Sequence, residues 1–143
     1  MKLFKFLLLL LIFSPVVNAE ILNSEKLTDE NLHSELIKTA IKFDVFNQRC
    51  RGVSMAKNFV KVNRLYLSKY DITVNNYIKV YLSQDPRKAK KDLQDKMIAY
   101  ISEQGGCGAL RKKRTRKQFK KRQRQLFQQV EQSAWIPEKT RKR

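Results

Sequence analysis

Through the middle of the chain, apolar residues recur every three or four positions. This is the spacing of one helical face, and it predicts four helices in succession. Thr28 reads as an N-cap, and Asp29 and Glu30 place negative charge in the first turn, where it suits the helix dipole. Leu32, Leu36, Ile37, Ala40 and Ile41 follow as a stripe, predicting a helix over about 29–45. Asn47 reads as the cap of a second helix running to about Tyr66, with Cys50, Val53, Ala56, Val60 and Leu67 on its inner face, widened by Met55, Phe59 and Val62. Gly52 weakens that helix without stopping it, and Ser68 to Asp71 reads as a connection.

A third, shorter helix takes in Val74, Tyr77, Ile78, Tyr81 and Leu82, although β-branched and aromatic residues leave a strand over 72–82 as the alternative. Asp85-Pro86 restarts the chain: Asp caps, and proline suits the first helical position. The fourth helix carries Ala89, Leu93, Met97, Tyr100 and Ile101 inward and ends at Gly105-Gly106. Gly108 to Lys113 reads as a link. Beyond it, Phe119, Leu126, Phe127, Val130 and Ala134 give an intermittent stripe over about 115–134. The expected fold is therefore all-α: a small four-helix core followed by a basic C-terminal helix or tail.

The start of the chain has a different pattern. A basic Met1–Lys5 precedes an unbroken apolar run, Phe6 to Phe13, then Pro15 and Val17-Asn18-Ala19. This is the layout of a secretory signal peptide, with cleavage expected between Ala19 and Glu20. The apolar run is short for a membrane span, which needs roughly 20 residues. The expected division is thus 1–19 signal peptide, 20–110 helical domain and 111–143 basic helix or tail. Export, to the periplasm or beyond it, changes the meaning of the two cysteines. In an oxidising compartment Cys50 and Cys107 are expected to form one disulfide closing the helical domain. Their spacing is neither C-x-x-C nor that of a zinc site.

Charge changes the picture further. The chain has 31 Lys and Arg against 13 Asp and Glu, a net +18. Lys2 and Lys5 would leave with the leader, and residues 111–143 carry +12 of the remaining +16. The density peaks in RKKRTRKQFKKRQRQ, where Arg111, Lys112, Lys113, Arg114, Arg116, Lys117, Lys120, Lys121, Arg122 and Arg124 are candidate anion-binding residues. Such a block neutralises phosphates with release of counterions. Phe119 and Trp135 are candidates for stacking on bases or for contact with a bilayer interface, and docking of this segment on the helical core is the alternative use for them. Arg111-Lys112-Lys113-Arg114 also matches a dibasic processing site.

Catalytic chemistry finds little support. The lone histidine, His33, sits beside the first helical stripe and is expected at the surface or boundary. Asp92 and Asp95 lie one turn apart, but flanking lysines point to surface ion pairs. There is no Gly-rich phosphate loop, H-E-x-x-H or EF-hand pattern. The expectation is an exported non-enzymatic binding protein with no cofactor, no metal and no small-molecule substrate. Its partner would be an anionic membrane surface (envelope lipid or lipopolysaccharide) or another polyanion such as nucleic acid. Two alternatives stand beside it. One is an interaction module, such as an inhibitor or immunity protein, binding a protein through its helical core. The other is a cationic membrane-active protein.

Overall fold

A computed structural model describes residues 27–82 and 84–139. The expected leader and cleavage site lie outside them. The described residues form six helices: α1 (Asp29–Arg51), α2 (Lys57–Tyr70), α3 (Val74–Tyr81), α4 (Pro86–Glu103), α5 (Gly106–Lys112) and α6 (Thr115–Gln132). The all-α expectation holds, and 74–81 is helical rather than a strand. The Cys50–Cys107 disulfide is formed, with 5.3 Å between its Cα atoms.

The organising element is α1. Its packing partners are α6, α4 and α2, with α6 the most extensive. Leu36, Ile37 and Ala40 are fully enclosed, and Phe43, Val45 and Phe46 continue the burial toward the C-terminal end. This continuity explains a correction. A helix ending near residue 45 would expose Val45 and Phe46, so the helix runs on to Arg51, and Asn47 is a buried interior residue rather than a cap. Gly52 does stop it, in the left-handed conformation (φ 66°) that glycine adopts without a side-chain clash, while its N–H donates to the Asn47 carbonyl. Cys50 consequently belongs to the last turn of α1, not to the start of α2, and the disulfide ties the end of α1 to the first turn of α5.

The start of α2 is displaced in turn, to Lys57, and this moves its inner face. Val62, Leu65, Tyr66 and Tyr70 are buried, whereas the expected inner residues Ala56, Val60 and Leu67 face outward. The helix continues through the expected connection to Tyr70. Two apolar clusters result. The larger gathers Leu36, Ile37, Tyr66, Tyr77, Leu126 and Val130 among others; the smaller gathers Phe43, Phe46, Met97, Ile101 and Leu110 beside the disulfide.

Caps fix the remaining boundaries. Thr28 Oγ1 accepts from Asn31 N, Thr73 Oγ1 from Asn76 N, and Asp85 Oδ1 from the Arg87 and Lys88 amides, which starts α4 as the Asp-Pro pair predicts. Gly105-Gly106, both at positive φ, separates α4 from α5. The stretch expected to be a link is thus largely helical, because Leu110 is fully buried in the smaller cluster and holds that turn inward.

Candidate functional site

The basic segment is built by α5, a tight turn and α6. Arg111 and Lys112 occupy the last turn of α5, where cations suit the negative end of the dipole. Arg114 then adopts a left-handed conformation (φ 55°), which reverses the chain so that Thr115 begins α6 in a buried position. The buried positions of α6 are Thr115, Gln123, Leu126 and Val130, with Phe119 and Phe127 half-buried. Helical spacing therefore turns Arg116, Lys117, Lys120, Lys121 and Arg124 to solvent. Arg111, Lys112, Lys113 and Arg114 are exposed too, while Arg122 is half-buried on the side facing α4, where it lines a groove of about 360 Å³ with Lys42, Lys96 and Tyr100.

This arrangement conflicts with the helix that carries it. The first turn of α6 has no acidic residue, so Arg116 and Lys117 meet the positive end of its dipole. Arg116 with Lys120, Lys117 with Lys121, and Lys120 with Arg124 are like-charged pairs four residues apart, which repel. Among the described residues the ion pairs are Lys38–Glu35, Lys91–Asp95 and Lys139–Asp71, and none involves the ten candidate cations. Lys113 instead donates to the Gln104 side chain at 2.6 Å.

What holds α6 in place is its other face. Leu126 and Val130 are completely enclosed in the main cluster. The Phe119 ring stacks on Phe43 (5.4 Å, 8° between planes) and leans on Phe46. Trp135 meets His33 edge-on at 4.7 Å and Tyr81 at 5.5 Å. Both aromatics read as candidates for ligand stacking or bilayer contact are thus engaged within the fold, the docking alternative. At the far end of α6, Lys69 Nζ donates to the carbonyls of Val130, Glu131 and Ser133 at 2.7–2.8 Å, placing a cation on the unsatisfied C-terminal carbonyls.

His33 is corrected outright. It is fully buried, shares a 2.7 Å hydrogen bond through Nδ1 with the Tyr66 hydroxyl, and is surrounded by Tyr66, Tyr70, Tyr77 and Trp135. Its Nε2 has no hydrogen-bond partner. Burial, reinforced by the Lys69 charge, pulls its pKa down to about 4 against a smaller opposing effect of Asp29. Burial likewise pushes the Tyr66 phenol up, and those of Tyr70 and Tyr77 up to about 12. The group is therefore neutral near pH 7. Tyr77 donates its single proton to the Glu30 carbonyl, so the Ser34 hydroxyl donates to Tyr77.

Sequence reasoning passed over Asp44 as well. Its buried carboxylate accepts from Asn58 N, Asn58 Nδ2 and Phe59 N at 2.8–3.0 Å, capping α2 from the side of α1. The local cap position, Ala56, has no side chain able to do this. Asp95 pairs with Lys91 at 2.5 Å on the exposed face of α4, as the flanking lysines predict. Among the described residues no three His, Cys, Asp or Glu side chains converge, and no helix is long and apolar enough to cross a membrane. No protein-family model matches the chain, and comparisons with curated proteins and with solved structures find no match.

Proposed function

We propose that this is an exported, non-enzymatic binding protein whose basic segment engages an anionic membrane surface of the cell envelope. The observation that carries the reading is the row of solvent-facing cations on α5, the turn and α6, without carboxylate partners and beginning at the positive end of a helix dipole. Local charge rules oppose that placement. Residues that break local rules without internal compensation mark sites where something external supplies it, and a sheet of anionic headgroups supplies it here. Lipid is favoured over nucleic acid by the expected export of the chain, which would bring it to the envelope; Phe119 and Trp135, packed against Phe43, His33 and Tyr81, leave the exposed cations to supply the contact with either.

The test uses full-length chain, since removing residues beyond Leu110 would delete Leu126 and Val130 from the core. Wild type and a Lys117→Gln/Lys121→Gln variant are titrated with anionic vesicles, zwitterionic vesicles and duplex DNA over a range of salt. Wild type is expected to bind anionic vesicles in preference to DNA, with affinity falling steeply as salt rises, and the variant to bind more weakly. Binding that ignores both salt and the substitutions would overturn the reading. A preference for DNA would redirect it.

A second reading, a protein-interaction module acting through the core, is supported by a groove of about 280 Å³ where α1, α2 and α4 meet. Ile41, Val45, Met55 and Phe59 line it, and Met55 is 64% exposed. Partner binding there would survive the α6 substitutions.

A further inference from the structure

On the α2 side of α6 lies a further groove, of about 390 Å³, with an unusual group among its lining residues. Gln123 is only 8% exposed, and both its Oε1 and Nε2 lack hydrogen-bond partners. A buried amide left without partners is costly, and native structures hold few such groups. Leucine or methionine would fill the same volume without that cost, so packing alone does not account for the glutamine.

The surroundings give the amide a use. Lys120 and Arg124, one turn apart on α6, and Lys61 from α2 line the same groove. The Lys61 ammonium is held over the Phe127 ring, 4.5 Å from its centroid, which draws it across the gap toward α6. Three cations from two helices thus surround one opening, and Glu131 at its margin limits how much negative charge it can take. The amide is bivalent. Its Nε2 donates, which suits a phosphoryl oxygen, but its Oε1 accepts, which a phosphate diester cannot satisfy. A phosphoryl group with a hydroxyl close by satisfies both ends.

We propose that this groove is a discrete site for a phosphodiester bearing a neighbouring hydroxyl, the chemistry of a glycerol-phosphate headgroup. Lys61, Lys120 and Arg124 would hold the phosphoryl oxygens, and the Gln123 amide, whose polar atoms are closed to solvent in this conformation, would rotate toward the groove to read phosphate and hydroxyl together. The site rests on the membrane reading above and deepens it: the outward cations bring the protein to an anionic surface, and the groove selects a headgroup there.

Two vesicle compositions test it, each diluted in phosphatidylcholine to equal surface charge. One carries phosphatidylglycerol, with hydroxyls beside its phosphodiester; the other carries phosphatidylethanol, a phosphodiester of the same charge whose headgroup has no hydrogen-bond donor. Wild type is expected to prefer phosphatidylglycerol by about tenfold, the contribution of the one hydrogen bond, headgroup hydroxyl to Gln123 Oε1, that the other lipid cannot make. Gln123→Leu is expected to fold normally, because it replaces an unpartnered amide with an apolar group, and to lose the preference while keeping salt-dependent binding to both vesicles. Lys61→Gln/Lys120→Gln should also lose it. Lys117→Gln/Lys121→Gln, which removes the same charge from the outward face, should weaken both compositions and keep the preference. If Gln123→Leu fails to fold by circular dichroism, the contrast between the two lysine pairs decides the question.

Soluble glycerophosphoglycerol, titrated into wild type and followed by NMR, separates the sources. Shifts at Gln123 and Lys120 show a headgroup pocket that works without a bilayer, and a headgroup preference confined to vesicles supports the site as one formed at the membrane. Equal binding to both vesicles, or a preference that survives Gln123→Leu, overturns the site while leaving the membrane reading in place. Failure to bind either vesicle overturns both.

Discussion

The two ends of the bundle are stabilised in opposite ways. At one end the start of α1, the ends of α2 and α6, and α3 meet around His33. Uncharged aromatic rings fill the space, hydroxyls find carbonyls or one another, and the Lys69 ammonium covers the carbonyl end of α6. At the other end α1 finishes, α5 turns and α6 begins. The apolar cluster there is smaller, the dense cations face water without carboxylate partners among the described residues, and the buried carboxylate of Asp44 is committed to backbone amides of α2. The disulfide lies at this second end. A covalent link is found beside the smaller apolar cluster and the densest run of like charge, the same end that carries the proposed binding surface.

Removing the staple should break the comparison most severely. A disulfide joining residues 57 apart contributes about 4 kcal/mol through the entropy of the denatured chain. Cys50→Ala/Cys107→Ala is expected to lose about that much in urea unfolding. That term acts on the denatured chain, so the loss should stay nearly the same at about 1 M salt, where charges are screened within about 3 Å and both proteins gain stability. A loss that shrinks with salt would instead tie the staple to the charges.

Asp44→Ala should follow, at about 2–3 kcal/mol, because it leaves two amides at the start of α2 and the Asn58 side chain without their acceptor. Asp44→Asn should recover part of this in the same unfolding measurement.

Acid probes the aromatic end instead. The folded-state pKa of His33, about 4, lies below its ordinary value of 6.5, so the folded protein favours the neutral ring. The unfolded chain then binds more protons between these values. The contribution is fully present above pH 6.5 and is lost as pH falls toward 4. Stability measured across that window should decline in wild type and decline less in His33→Phe.

Lys69→Met should have the smallest effect, about 1 kcal/mol, through loss of the cation at the end of α6. Its sharper signature is local: faster amide exchange in the last turns of α6 while the disulfide end is unchanged.

The sequence was most legible where a single local rule governs. Asp85-Pro86 starts α4, Thr28 caps α1, and the stripe of Ala89, Met97 and Ile101 faces inward. It was least legible where a partner distant in sequence decides. The end of α1 depends on Val45 and Phe46 meeting Met97 and Ile101, and Asn47 alone looks like a cap. The start of α2 is set by Asp44, fourteen residues before Asn58. The burial of His33 depends on tyrosines from α2 and α3, which no local pattern links to it. The basic surface was legible as charge. The burial of Gln123 was not, because one polar residue in a run of lysines and arginines carries no signal until the helix is docked.

The Cys50–Cys107 bond also fixes how the polypeptide is connected. It closes residues 50–107 into a ring from which two arms leave, most of α1 on one side and α6 on the other. The ring can be opened at the segment 52–56 without dividing the molecule, since both fragments stay joined through sulfur. The turn between α5 and α6, Lys113 and Arg114, lies outside the ring and is exposed, as is Lys112 before it. A protease that cuts after basic residues would there sever every covalent tie between the cationic arm and the rest of the chain, leaving α6 held only by its buried face.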